Sequence, residues 1–248
     1  MLTGPRSPLS SPRDTPRAWL VLFPLESCGS RGVSYITLQL SVPAPPPAIM
    51  NQTALVIVDI QADFCSGGAL AVPDADALIP VVNQLAGGAD LVFFTQDWHP
   101  RGHVSFASSH PGKAPFSRVS LPSGEQILWP DHCVEETPGA GFHPGLNVPP
   151  TAKVVRKGTS PDTDSYSAFF ENDRKTPVGL DALLREAGVR EITLAGLATD
   201  FCVLHTALDA RRLGYHVTVV EAGCRGIDTN GSLAAAWARM AEAGVRRA

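Results

Sequence analysis

The chain has 248 residues, of which 44% are hydrophobic and 18% are charged, and its formal net charge is -4. This composition is typical of a globular protein with a sizeable core, and one α/β domain is the natural count for the length. The charge gives no reason to expect nucleic acid or an anionic membrane surface as a partner. No apolar stretch approaches the roughly 20 residues that a membrane span requires.

The cysteines form an odd, scattered set without any C-x-x-C pair. This pattern fits neither a disulfide framework nor a structural zinc site. We therefore expect a reducing compartment, the cytoplasm. The five cysteines are Cys28, Cys65, Cys133, Cys202 and Cys224.

Residues 1–50 differ in composition from the rest of the chain, because they hold nine of the 22 prolines and show no sustained hydrophobic period. We predict a disordered, proline-rich leader here and a single α/β domain over residues 51–248. Residues 17–28 resemble short export signals, but Glu26 is wrong for that interpretation. A transit peptide is another alternative. The interpretation that we favour is that Met50 is the true start and that the leader is absent from the mature protein.

From residue 54 onward, strand and helix patterns alternate along the chain. Five short apolar strands joined by crossover helices predict a doubly wound, mostly parallel sheet with helices on both faces. Residues 97–150 form a long irregular segment, and such loops are usually functional. The predicted strands cover residues 54–60, 90–95, 153–157, 192–198 and 216–221, the helices cover 76–85, 180–188, 201–213 and 232–243, and Val245 can begin a final edge strand.

Cys202 lies where the 192–198 strand turns into the following helix. Thr199 and Asp200 are expected to cap that helix, which places the thiol in its first turn. The free N–H groups and the positive dipole end at such a position favour a thiolate and can hold a developing oxyanion. The alternative is that Cys202 is a small buried core residue.

Three further polar side chains, Asp59, Asp97 and Lys157, fall at the carboxyl ends of predicted strands, where open α/β sheets bind ligands. Asp59 is surrounded by apolar residues, so burial should raise its pKa and make it a competent base. A base, a cation and a thiol together make an activated nucleophile without histidine. A structural ion pair between Asp59 and Lys157 is the alternative.

Histidines are concentrated in the irregular segment, where five of the seven lie between residues 99 and 143. An Asp-x-His sequence at a strand end, followed by further histidines, is a set of oxygen and nitrogen ligands suited to Fe, Mn or Zn. Histidines in a polar loop are also often exposed without a metal. The candidate ligands are Asp97, His99, His132 and His103, whereas we interpret His110 and His143 as surface residues and Cys133 as a core residue.

Three aromatic residues, Phe64, Trp129 and Tyr166, lie near these candidate site residues in the sequence. Aromatic side chains contribute to core packing as often as to binding. The functional interpretation is a flat slot for a planar ring.

Seven motifs in this order and spacing resemble the nicotinamidase/pyrazinamidase group of the isochorismatase-like cysteine hydrolases. The resemblance extends from about residue 54 to residue 243. The Asp, Lys and Cys motifs are typical of the whole superfamily, whereas the Asp-Trp-His and Trp-Pro-Asp-His-Cys motifs are specific to its metal-binding members. The motifs occupy residues 58–64, 96–100, 105–108, 129–134, 157–158, 164–170 and 196–203.

The resemblance implies the isochorismatase-like hydrolase fold and a catalytic triad of Asp59, Lys157 and Cys202. It also implies an oxyanion hole made by the N–H groups of Ala198 and Cys202, with a cis peptide bond before Ala198. The implied reaction is hydrolysis of nicotinamide, and of pyrazinamide, to the acid and ammonia through a thioester on the cysteine. Such a reaction serves NAD salvage.

The resemblance further implies one divalent metal ion, Zn, Fe or Mn, and no organic cofactor. Asp97, His99 and His132 would bind the ion, and family members differ on a fourth ligand at the position of His103. The expected partner is the small-molecule substrate, with a homo-oligomer as a further option. The residues expected to contact the substrate ring are Phe64, Trp129 and Tyr166.

Two alternatives to a nicotinamidase remain open: an amidase for carbamoyl or ureido compounds, and a catalytically silent binding protein of the same fold. The metal motifs argue against the first, and the complete triad argues against the second. A phosphatase is excluded because Cys202 lacks an arginine six residues further on. A nucleotide-binding dehydrogenase is excluded because the chain lacks G-x-G-x-x-G.

Overall fold

The computed structural model describes residues 52–248, and the predicted disordered leader, with Cys28, lies outside the described residues. The main feature is a parallel sheet of six strands. Its strands are β1 (Gln52–Val58), β2 (Val92–Asp97), β5 (Lys153–Lys157), β6 (Val189–Gly196), β7 (His216–Cys224) and β8 (Arg246–Arg247).

Four α-helices connect these strands and pack against the sheet. Each follows an apolar pattern that the sequence predicts, although the first starts three residues later than expected because residues 75–78 form a 3-10 turn. No helix within residues 52–248 is long and apolar enough to cross a membrane. The helices are α1 (Ile79–Gly87), α2 (Leu180–Glu186), α3 (Leu204–Arg212) and α4 (Ser232–Glu242).

The strand order is β5-β2-β1-β6-β7-β8, and all neighbouring strands are parallel. The chain builds outward from β1 to one side and then returns to build outward from β6 to the other side. Right-handed crossovers place the helices of two such halves on opposite faces of the sheet. The doubly wound parallel fold is therefore confirmed, and its topological switch point lies between β1 and β6, where such folds bind ligands.

Two details of the sequence prediction are corrected. The segment 97–150 is not wholly irregular, because β3 (Arg118–Leu121) and β4 (Gly124–Ile127) form an antiparallel hairpin outside the main sheet. Each of these strands is only four residues long, which is too short to show a period, and the turn between them lacks an Asn-Gly or Asp-Gly signal. The main sheet also has a sixth strand, because the edge strand suggested at Val245 forms one residue later and pairs with β7.

Gly196 at the end of β6 allows β1 and β6 to approach closely. Its φ is +130°, and a Cβ there would overlap the carbonyl oxygen of Val58. Only glycine combines this backbone conformation with the absence of a side chain.

We expect Gly196→Ala to destabilise the fold more than Gly188→Ala. Gly188 also has a positive φ, +68°, but a Cβ at that position meets nothing within 4 Å. Gly188→Ala should therefore cost only the backbone strain, about 1–2 kcal/mol, whereas Gly196→Ala adds the overlap with β1. Urea denaturation measures both losses, and equal losses would contradict the close-approach argument.

Candidate active site

A small pocket lies at the carboxyl ends of the strands, beside the switch point. The residues that line it come from the end of β2 and from the loops and turns that follow the strands. It therefore brings together residues that are far apart in the sequence. The predicted site residues in its wall are Phe64, Asp97, His99, Trp129, His132, Tyr166, Ala198 and Cys202.

Lys157 is the hub of the contacts around this pocket. Its ammonium nitrogen lies 2.8 Å from Asp59 Oδ2, pairs with Asp97 Oδ1 and lies 3.3 Å from Cys202 Sγ. It also donates a hydrogen bond of 3.1 Å to the carbonyl oxygen of Ser165. Burial alone would lower the pKa of Lys157, but the two carboxylates raise it well above its ordinary value. Lys157 is therefore a charged ammonium although its side chain is fully buried.

Asp59 follows β1 directly and is completely buried. Its backbone N–H donates to the Thr95 hydroxyl at 3.2 Å, and that hydroxyl in turn donates to Asp59 Oδ1. One carboxylate oxygen lies within 4.8 Å of Cys202 Sγ. Burial raises the pKa of Asp59, as the sequence predicted, although Lys157 opposes the shift. The carboxylate can therefore accept a proton more readily than an exposed aspartate.

Cys202 lies in one turn of π-helix, Thr199–Val203, that leads into α3. The expected capping of this helix is wrong, because neither Thr199 nor Asp200 makes a capping hydrogen bond to it. The Asp200 carboxylate instead accepts hydrogen bonds from the N–H groups of Ile227 (3.0 Å) and Asp228 (2.9 Å). It thereby ties the cysteine turn to the loop before α4.

Two opposing influences act on the pKa of the Cys202 thiol. The start of a helix favours a thiolate, but burial raises the pKa of this thiol well above its ordinary value, and the Asp59 and Asp97 carboxylates add to the shift despite Lys157. The side chain is therefore a neutral thiol at rest. It needs a base to become a nucleophile, and Asp59 is the nearby candidate.

The peptide bond between Leu197 and Ala198 is cis, as expected. Ala198 lines the pocket beside Cys202. Its N–H group donates to no backbone carbonyl in the described part of the chain. This N–H is thus available to a ligand atom in the pocket.

Asp97, His99 and His132 converge on one point. Asp97 Oδ2 lies 3.7 Å from His99 Nε2 and 3.9 Å from His132 Nε2. The Nδ1 atoms of the two rings lie 2.9 Å and 2.8 Å from the carbonyl oxygens of Gly158 and Pro130. Because a carbonyl oxygen accepts, each Nδ1 carries a proton, and Nε2 is the ring nitrogen that faces Asp97. This is the arrangement of metal-binding histidines, and the donor set suits a divalent ion.

The backbone around these three side chains is held by neighbours that the sequence analysis missed. Gln61 is buried, accepts the Asp97 N–H at 2.8 Å and donates to the Asp97 carbonyl oxygen at 2.8 Å. Gly158 leaves room for the His99 ring, which a Cβ would overlap. Burial would raise the pKa of Asp97, but Lys157 and His99 lower it below its ordinary value, so this carboxylate is ionised.

His103 is placed differently from the other three candidate ligands. Its Nδ1 lies 2.7 Å from the Ser105 hydroxyl, and its ring stacks on His99 with centroids 4.2 Å apart. Its ligand atom groups with those of His99 and Asp164, not with those of Asp97 and His132. The structure therefore brings three of the candidate ligands together and places His103 beside them.

The aromatic side chains surround the same pocket. The Phe64 ring lies 5.4 Å from the His132 ring, and Trp129 meets the edge of Phe201 at 4.9 Å. The Trp129 indole N–H donates to the Tyr166 hydroxyl at 3.1 Å. Phe201 is a further aromatic lining residue that the sequence analysis missed, although its position next to Cys202 in the same motif was a usable signal.

Comparison with known proteins places the chain in a family. Residues 53–247 match the family model described as the isochorismatase domain. The chain belongs to the isochorismatase family. Among curated family members it is 49% identical to the nicotinamidase of Acinetobacter baylyi, over 79% of this chain and 92% of that protein. It is 47% identical to the nicotinamidase of Escherichia coli, over 72% of this chain and 85% of that protein.

Solved structures of the family agree with the fold. A nicotinamidase/pyrazinamidase of Acinetobacter baumanii has a TM-score of 0.78 and 51% identity, covering 80% of this chain and 96% of that one. The pyrazinamidase of Pyrococcus horikoshii in complex with zinc has a TM-score of 0.65 and 35% identity, with coverages of 79% and 98%. The yeast nicotinamidase bound to the inhibitor nicotinaldehyde has a TM-score of 0.73 and 30% identity, covering 79% of this chain and 99% of that one. The resemblance to the nicotinamidase/pyrazinamidase group is confirmed.

We expect Lys157→Met to lower the free energy of unfolding by about 3–5 kcal/mol, because it leaves two buried carboxylates without their cation. Lys153→Met is the matched control, because Lys153 lies on the same strand but is exposed. Its ion pair with Glu186 is long, with 4.0 Å between the ammonium nitrogen and the carboxylate oxygen, and is also exposed. That control should change the stability by less than about 1 kcal/mol. Urea denaturation in the presence of a chelator compares the two, and a similar loss in both variants would contradict the assignment of Lys157 as the hub.

Proposed function

We propose that this protein is a nicotinamidase that hydrolyses nicotinamide, and pyrazinamide, to the corresponding acid and ammonia. The observation that carries the proposal is that a thiol with a nearby carboxylate and ammonium lies next to a set of metal-binding side chains in one pocket. The Cys202 thiol lies 3.3 Å from the Lys157 ammonium and close to the Asp59 carboxylate. The Asp97, His99 and His132 group forms part of the same pocket wall. The nicotinamidases named among its relatives support the same activity.

Asp59 begins the reaction by accepting the Cys202 proton. The Lys157 ammonium stabilises the resulting thiolate, which attacks the carboxamide carbon. Negative charge develops on the carbonyl oxygen. The N–H groups of Ala198 and Cys202 hold that oxyanion, since fixed donors in a pocket without bulk water stabilise charge strongly.

Asp59 then returns its proton to the amide nitrogen, and the C–N bond breaks to release ammonia and leave a thioester on Cys202. A water molecule enters, and Asp59 takes one of its protons as the oxygen attacks the thioester carbon. The C–S bond breaks, the acid leaves, and the proton on Asp59 returns to the thiolate. The same carboxylate thus acts as base and as acid in each half of the reaction.

One divalent cation, Zn, Fe or Mn, would be held by Asp97, His99 and His132, with His103 as a neighbour at the position where family members differ. When bound, it supplies a Lewis acid that attracts the ring nitrogen of the substrate and so orients the ring. Phe64 and Trp129 flank the ring, and the hydrogen bond from Trp129 to Tyr166 fixes the indole. These aromatic walls limit the access of bulk water to the pocket.

The cellular setting is part of the same proposal. Residues 51–248 act as one amidohydrolase domain, and the reaction takes place in the cytoplasm, where the scattered cysteines stay reduced. Nicotinate then returns to NAD synthesis, and besides the substrate, water and the ion the reaction requires no organic cofactor. The proposal includes no nucleic-acid or membrane partner, and light scattering tests for a homo-oligomer.

Ammonia release from nicotinamide tests the activity and the nucleophile. We expect Cys202→Ala to lower kcat/KM by at least about a thousandfold, because the group that forms the thioester is lost. Cys224→Ala should retain activity, since Cys224 is also buried but does not line the pocket. If the metal-loaded wild type released no ammonia, the nicotinamidase proposal would fail, and carbamoyl and ureido compounds would be tested next.

Removal of the metal tests its role in orienting the ring. Benzamide carries the same carboxamide as nicotinamide but has no ring nitrogen, so its hydrolysis should depend little on the ion. We expect a chelator to reduce the ratio of kcat/KM for nicotinamide to that for benzamide, and added Zn²⁺ to restore it. A ratio that stays constant while both activities fall would instead assign the ion a general structural role.

A further inference from the structure

Asp164 is a buried carboxylate in the pocket wall that the proposed mechanism does not use. It lies in the loop after β5, is only 3% exposed and lines the pocket together with Asp97, His99 and His132. A buried charge is costly unless it is paired or hydrogen-bonded. Its partners therefore indicate what it does.

Those partners are neutral and hold the carboxylate in place. Asp164 Oδ1 accepts the N–H of Ser165 at 2.8 Å, and Oδ2 accepts an N–H of Gln126 at 2.8 Å. In residues 52–248 no lysine or arginine forms an ion pair with Asp164. The nearby Lys157 pairs with Asp59 and Asp97 instead. The carboxylate of Asp164 is thus fixed in position but has no basic side chain as its partner.

The groups that can compensate it belong to the metal centre. One oxygen of Asp164 and one ring nitrogen each of His99 and His103 lie within 4.8 Å of one another. His99 is also a member of the group formed with Asp97 and His132. Asp164 therefore lies beside His99, one of the residues that would hold the proposed ion.

The buried charged side chains in and around the pocket also favour the binding of a cation. Asp59, Asp97 and Asp164 are three buried carboxylates, and Lys157 is their one buried ammonium. An excess of buried negative charge destabilises a site unless a cation offsets it. A divalent ion held by Asp97 and the two histidines would supply that charge, and Asp164 would in turn favour its binding.

We propose that Asp164 is a positioning residue of the metal centre, which does not ligate the ion but increases the affinity of the site for a divalent cation across His99 and His103. This inference rests on the metal site of the proposed function. Gln126 on β4 connects Asp164 to the substrate slot, because it also donates to the Tyr166 hydroxyl at 3.2 Å. The hairpin thereby supports both the carboxylate and the aromatic wall.

The test is the affinity of the metal-free full chain for Zn²⁺, measured by competition with a chromophoric chelator and without substrate. Asp164→Asn should weaken binding about 10–100-fold, as the loss of an outer partner of metal ligands does. Gln126→Met removes the hydrogen bond to Asp164 but keeps its charge, so it should weaken binding less than Asp164→Asn does. Asp131→Asn removes an exposed charge next to His132, and this control should change the affinity by less than about threefold, because exposed charges are screened by solvent.

Each outcome separates the alternatives. Unchanged affinity in Asp164→Asn overturns the inference, and so does a loss as complete as that in Asp97→Asn, which would make Asp164 a direct ligand. An equal loss in Gln126→Met would also overturn it, because the effect would then be structural. Asp164→Glu, which keeps the charge, should bind more tightly than Asp164→Asn. Since no substrate is used, these affinities stand even if nicotinamide is not hydrolysed, and failure of the inference leaves wild-type hydrolysis unaffected.

Discussion

The interaction on which the site depends is the buried ammonium of Lys157 between two carboxylates. It lies 2.8 Å from Asp59, pairs with Asp97 and lies 3.3 Å from the Cys202 sulfur. A charge removed from water is tolerated only with partners of this kind. One cation therefore joins the Cys202 thiol and the Asp59 carboxylate to Asp97, the carboxylate that faces the two histidines, and neither half of the site is independent of the other.

The sheet produces this arrangement through strand order and register. Asp97 and Lys157 are the last residues of β2 and β5 and are paired neighbours across those strands. Asp59 follows β1, which lies next to β2, and the cysteine turn follows β6 on the other side of β1. Because parallel strands end at the same edge, four short apolar runs place their polar terminal residues around one point.

The sequence predicts this edge well because its signals are local. Apolar runs locate the strands, and the polar residue that ends each run identifies Asp59, Asp97 and Lys157. The supporting contacts were not predictable in the same way. Gln61 and Thr95 are neutral side chains whose partners lie 36 residues away, so only the pairing of β1 with β2 reveals their roles. The pKa of Cys202 was not predictable either, because the helix start is visible in the sequence and the depth of burial is not.

In the proposed mechanism, burial of both the Cys202 thiol and the Asp59 carboxylate explains how a neutral cysteine acts as the nucleophile. The pKa of Cys202 and the pKa of Asp59 are both raised, chiefly by desolvation. Transfer of the proton from sulfur to carboxylate therefore moves a negative charge within the pocket without creating a new one, and Lys157 contacts both ends of that movement. Formation of the thiolate then costs less than loss of the proton to solvent would cost in the same buried position.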